Sequence, residues 1–275
     1  MINMNGWILF LLLIYSSSFG IRMTNQFITS FKLKKWAKIS LLFGGLLHLL
    51  IFLINFIEKG YFPLLTIFEV LYFYSFIMII LAIFIQQFFQ VDVFEILILF
   101  VLFIGLILLL LAESVGETSP TIDEHFLSRF LFLHIGLTLT SYGVFSLSAL
   151  FSIFFLMYDR LLKQKKWNLL TKKMPSLQRL EKNIFLANLF GTLLLFMGLL
   201  FGSIWATSFF HLKFFYDLKV IISIIVFIMY LVFLIQRQKG NWISKQLSQW
   251  NLLSFVMVLI NFLISYYFES FHHWL

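Results

Sequence analysis

Residues 93–112 read VFEILILFVLFIGLILLLLA, and among them only Glu95 is charged. A helix rises about 1.5 Å per residue, so about 20 apolar residues match a bilayer's hydrocarbon core of roughly 30 Å. Apolar runs recur at 5–21, 38–57, 64–86, 127–158, 183–203, 217–236 and 248–268. A segment in lipid must satisfy its own backbone N–H and C=O groups, and no run alternates as a lipid-facing strand would. Each is therefore predicted to be a helix, and the expected fold class is all-α: a polytopic membrane bundle of about eight transmembrane helices. The composition agrees. With 61% hydrophobic and 12% charged residues, this chain cannot cover itself with polar surface in water. No polar stretch is long enough for a second domain, and no linker or repeat divides the chain, so residues 1–275 are expected to form one integral membrane domain. Met1 to Gly6 carries no basic flank and no small-residue cleavage site follows, so the first run is expected to be a retained span.

Charge orients the spans. Arg22, Lys32, Lys34, Lys35 and Lys38 fall in 22–38, eight cations fall in 159–182, and Arg237, Lys239 and Lys245 fall in 237–247. These stretches hold 16 of the 20 Lys and Arg residues, and in an eight-span chain they share one side. That side is expected to be the cytoplasmic one, which puts both termini outside. Glu113, Glu117, Asp123 and Glu124 mark the opposite side. The net charge of +8 then matches anionic inner-leaflet lipid in a bacterial plasma membrane and is no sign of nucleic acid.

The chain has no cysteine, which excludes thiolate catalysis, iron–sulfur ligation and thioether attachment of haem. It has no Walker loop, dinucleotide fingerprint or HExxH pair, and no enzyme activity is expected. The histidines carry what chemistry there is. His48 lies mid-span in Leu46-Leu47-His48-Leu49-Leu50, where it reads either as an interhelical hydrogen-bonding group or as a ligand or proton carrier. His134 lies two turns into a 32-residue run, about 12 residues longer than a bilayer needs, so its outer end projects and brings His134 near the boundary. His125 and His211 read as surface residues of outer segments. His272 and His273 close the chain between Phe271 and Trp274. They read either as polar trim or as imidazoles anchored back onto the outer mouth. Neutral imidazole is a common axial ligand of haem iron, and His134 with His272 or His273 is a candidate pair that spacing alone does not join. Glu69 follows Pro63 near the outer end of the third run, and Asp217 opens the seventh, where an acid offsets the helix dipole. Glu95 is expected in the inner interface.

Several stretches are similar, in order, to one family. Phe132-Leu133-His134, Ser141-Tyr142-Gly143 and Tyr158-Asp159-Arg160 resemble its outer His, Ser-Tyr, long helix and basic loop. Leu177–Glu181 resembles its Leu-rich helix start, and Gly198 to Ala206 resembles its "Gly, apolar, Gly, x, x, Trp-Ala" segment, which includes Trp205. Tyr216-Asp217-Leu218-Lys219 resembles its Trp-Asp-Pro-Lys, Arg237 to Trp242 its inner basic turn, and Pro63 to Glu69 its outer Pro-to-Glu element. The family is that of the cytochrome c assembly proteins, with CcsA- and ResC-type members and a HemX branch.

Two departures point to the HemX branch. Thr207–Phe215 lacks the Trp-rich haem platform, and Phe233-Leu234-Ile235 stands where a second intramembrane His would be. The length, the eight spans and the Phe-His-x-Trp ending also resemble that branch. The resemblance implies a non-catalytic membrane protein linked to haem synthesis that lowers the amount of glutamyl-tRNA reductase. Haem b, or another late product, is expected to be held non-covalently among His134, His272, His273 and His48, with the iron on His134 and His272. Glu69, Trp205 and Asp217 would support an outer rim formed by 113–126, 204–216 and 269–275. The basic inner loops would meet the reductase or its protease. The alternative is a haem-handling or export subunit for cytochrome c maturation.

Overall fold

The computed structural model describes residues 4–28, 30–88, 91–116, 129–165, 176–210 and 216–267. Among these are eight α-helices and no strand: α1 (Met4–Phe27), α2 (Phe31–Lys59), α3 (Ile67–Phe88), α4 (Val91–Val115), α5 (Arg129–Lys163), α6 (Leu177–Phe210), α7 (Leu218–Lys239) and α8 (Ser244–Tyr267). Each contains a span long and apolar enough to cross a membrane. Several helices outrun the apolar windows, because hydropathy falls at the first charges while the backbone ladder continues through them. Thus α2 already carries Lys32, Lys34, Lys35 and Lys38 in its first turns, and α6 carries Arg179 and Lys182. Glycine ends α2. Gly60 sits at φ 70°, where no Cβ opposes a left-handed turn, and its N–H donates to Phe56 O at 3.1 Å.

The chain divides into two compact units, residues 1–120 and 121–275. In the first, α1 packs on α2 and α4, and α3 packs on the same two helices. In the second, α5 packs on α6 and α8, and α7 packs on the same pair. Each unit is thus a closed ring of four helices around its own core.

The first unit corrects the reading of Arg22. It is not a cation of a basic loop: it lies inside α1 and is fully buried. Its Nη1 donates to Glu95 Oε1 of α4 at 2.7 Å, and its Nη2 donates to Gln86 Oε1 of α3 and to Ala37 O of α2. One guanidinium therefore touches all three neighbouring helices. Glu95, expected in the interface, is buried as its counter-ion. The fork of five N–H donors explains the choice of arginine here, since a lysine offers no planar geometry to span three helices.

The second unit is held by small residues and neutral polar groups. A Cβ on Gly191 of α6 would stand 2.5 Å from the Phe145 ring of α5, and that ring stacks on Tyr230 of α7 with centroids 3.6 Å apart. Asn251 of α8 donates to Ser148 and Ser152 of α5 at 3.0 and 2.8 Å. Asn261 of α8 donates to Tyr142 of α5 and Ser223 of α7 at 2.8 and 2.9 Å. In lipid these bonds and close contacts replace the hydrophobic drive that would hold helices together in water.

Removing one member of the buried pair strands the other charge. Arg22→Ala or Glu95→Ala is predicted to cost about 3–5 kcal/mol. Denaturant unfolding of the purified protein in detergent checks this; equal midpoints for wild type and both variants would refute it.

Candidate functional site

His134 stands one and a half turns into α5, against α6. Its Nδ1 lies 2.7 Å from the carbonyl oxygen of Gly198. A carbonyl can only accept, so Nδ1 carries the proton and donates, and the lone pair of the neutral ring resides on Nε2. That is the tautomer an iron-ligating imidazole needs, and a backbone carbonyl on the far nitrogen is the usual means of fixing it. Thr138, one turn on, donates to the His134 carbonyl at 2.7 Å.

The room for this arrangement comes from two glycines. Gly198 and Gly202 form a G-x-x-x-G step on α6. A Cβ on Gly198 would lie 2.7 Å from Thr138 Cγ2, and one on Gly202 would lie 2.4 Å from His134 Nδ1. Any larger residue at 202 would push the imidazole off its carbonyl. Both glycines belong to the Gly198–Ala206 motif of the sequence, but their purpose is steric and shows only when α5 is placed against them.

The other candidates sit as follows. Trp205 is buried one turn beyond Gly202 and packs at 5.8 Å on Phe209. Asp217 is the N-cap of α7, its Oδ1 accepting from Lys219 N at 2.8 Å. Both therefore lie in the second unit, on the elements that follow the His134 contact. Glu69 belongs to the first unit and is committed to local structure. Its Oε2 accepts from Thr66 N at 3.2 Å while Thr66 Oγ1 accepts from Glu69 N at 3.2 Å, the reciprocal pair of a capping box. Its carboxylate also accepts from Leu65 N at 2.7 Å and Lys59 Nζ at 2.8 Å. The Thr-x-x-Glu signature was available in the sequence and announces this role.

His48 is enclosed in the first unit. Tyr15 of α1 lies 3.2 Å from its Nδ1, and the rings of Tyr72 and Phe76 of α3 stand 4.4 and 5.1 Å from its own. Gly44 and Gly45 admit Tyr15 and Ile83 at this level, where a Cβ would approach them to 2.6 and 2.5 Å. Of its two readings, the interhelical hydrogen bond is the one this geometry displays. His125, His211, His272 and His273 lie outside the described residues. Among the described residues no group of three or more His, Asp or Glu side chains converges as a metal site, which leaves single imidazoles.

An all-helical membrane protein with an imidazole oriented between two long helices defines the class; comparison defines the family. The profile of the cytochrome c assembly proteins matches residues 64–273, so the chain belongs to that family. It is similar to the HemX protein of Brevibacillus brevis, with 35% identity over 219 residues that cover 79% of each chain. It is also similar to the HemX protein of Bacillus subtilis strain 168, with 29% identity over 78% of this chain and 77% of that one.

Two outcomes check the site's construction. Gly202→Ala is predicted to destabilise the protein by about 1–3 kcal/mol through overpacking, whereas Gly20→Ala, which meets nothing within 4 Å, is neutral or better. Glu69→Ala is predicted to cost about 0.5–2 kcal/mol as a lost cap. Thermal unfolding of the three variants in one detergent measures both; a Gly202→Ala midpoint at or above that of Gly20→Ala would contradict the steric reading.

Proposed function

We propose that this membrane protein binds haem b non-covalently at the His134 end of its second unit and acts as a HemX-type regulator that lowers the abundance of glutamyl-tRNA reductase, without being an enzyme itself. The observation that carries the haem part is the hydrogen bond from His134 Nδ1 to Gly198 O, which leaves the ring's lone pair on Nε2. His134 with His272 or His273 would supply the axial nitrogens. With no cysteine in the chain the group would be held only by these bonds and by packing. Bound iron supplies a reporter of haem level. The protein's own residues orient the imidazole through Gly198, keep space for it through Gly202, and close the level beyond with Trp205.

Family membership and the two HemX relatives support a role in haem-related processes. The remaining assignments follow the charge pattern: a bacterial plasma membrane, both termini outside, and the basic ends of α5 to α8 facing the cytoplasm. There Arg160, Arg179, Lys182 and Arg237 would meet the reductase or the protease that degrades it. Ligand binding changes that contact only if it favours one arrangement of the helices over another. The family profile also favours a second reading, a haem-handling subunit for cytochrome c maturation.

The visible spectrum of the purified protein, oxidised and reduced, tests the site. A Soret band is expected for the wild type, lost in His134→Ala and in a His272→Ala/His273→Ala double variant. A wild type that stays colourless with added haem would sink the haem reading. Deleting the gene is expected to raise reductase abundance and leave c-type cytochromes intact; loss of the cytochromes with unchanged reductase would establish the second reading instead.

A further inference from the structure

The second unit buries more hydrogen-bonding capacity than it pairs. At its basic end a cleft opens between α6, α7 and α8, with Glu181 and Arg237 at the mouth and Ile184, Phe233 and Ser248 in its walls. The Arg237–Glu181 ion pair is 3.6 Å long, too long for a direct hydrogen bond, and leaves guanidinium N–H groups for other partners. One helical turn deeper, on the same stripes of α6 and α8, stand Asn188 (four residues past Ile184) and Asn251 (three past Ser248). Both are fully buried. Neither the nitrogen nor the oxygen of the Asn188 amide has a partner, and Asn251 Oδ1 and Asn183 Nδ2 have none either.

Interhelical hydrogen bonding accounts for part of this layer. Asn251 Nδ2 bonds Ser148 and Ser152, and Ser148 in turn donates to Ile184 O at 3.4 Å. It does not account for Asn188, which is fully buried with both amide atoms unpaired in a unit where Asn251 and Asn261 bond between helices. Unmet amides of this kind hold bound molecules that both donate and accept. The layer leaves one N–H₂ group (Asn188) and two carbonyl oxygens (Asn188 and Asn251) unpaired, with the Asn183 N–H₂ five residues nearer the cleft, an inventory that suits a molecule of water's size. Above the layer the stacked rings of Phe145 and Tyr230 close the core; each lies one turn beyond a residue already named, Ser148 and Phe233.

We propose that this seam is a second binding site: a column of bound water that enters at the Glu181–Arg237 cleft, is fixed by Asn188 and Asn251, and ends at the Phe145–Tyr230 stack. It is a blind half-channel. It lets water, protons and cations of water's size reach well into the unit from the basic end, and it stops short of the end that carries His134.

The absence of cysteine makes the site easy to probe, since any introduced thiol reports alone. Ser248→Cys places a thiol in the cleft wall, Ser152→Cys at the Asn251 layer, and Leu253→Cys on the exposed apolar face of α8. In lipid nanodiscs, silver ion is added and the surviving thiols are counted with a maleimide after denaturation. The column predicts loss of the Ser248→Cys and Ser152→Cys thiols and survival of the Leu253→Cys thiol. If the Ser152→Cys thiol survives as long as the Leu253→Cys thiol, the column does not exist, even if the wall thiol reacts. Radiolytic hydroxyl labelling of the unsubstituted protein gives an independent reading. Phe233, 1% exposed, should be oxidised along with Tyr216, 87% exposed; an unmodified Phe233 beside an oxidised Tyr216 overturns the proposal.

Discussion

The close approach of α5 and α6 is the contact on which the second unit depends. At Gly191, Gly198 and Gly202 the helices meet with no side chain on the α6 side, and Phe145, Thr138 and His134 fill the space. Lipid supplies no hydrophobic drive between helices, so dispersion over such close surfaces and a few hydrogen bonds must do the holding. The same approach brings the Gly198 carbonyl within 2.7 Å of His134. Packing and ring tautomer therefore share one cause. A residue that widened the gap would weaken the unit and release the imidazole together.

The two units bury polar groups by different means. The first spends one charge pair, Arg22 with Glu95, and distributes the guanidinium over three helices through Gln86 and Ala37 O. It also shuts His48 between Tyr15, Tyr72 and Phe76. The second uses neutral amides and hydroxyls along α5 and α8. Charge in a membrane interior demands a fixed counter-ion and fixed geometry, which suits a clamp. Neutral amides need no counter-ion, which suits bonds made to hydroxyls on neighbouring helices.

Much of the fold was legible because the bilayer imposes one length and one secondary structure on every span. The number and order of the helices follow from the apolar runs alone. Glu69 was legible too, had Thr66 three residues before it been taken as a cap rather than Glu69 as a rim group. Arg22 was misplaced because charge counting treats every cation at the edge of an apolar run as solvated. Only the presence of Glu95 and Gln86 on other helices makes its burial tolerable.

His134 shows where the division falls. Its residue type, its depth in an overlong apolar run and the family it suggests are all properties of the chain read in order. Its tautomer is decided by a carbonyl 64 residues away, and its space by the lack of a side chain at Gly202. Span count, helical class and charge asymmetry were set by the sequence by itself, since hydropathy and backbone hydrogen bonding act locally. Which imidazole is oriented, which is enclosed, and which amides are left unpaired were decided by tertiary structure, since each depends on what another helix presents across a gap of a few ångströms.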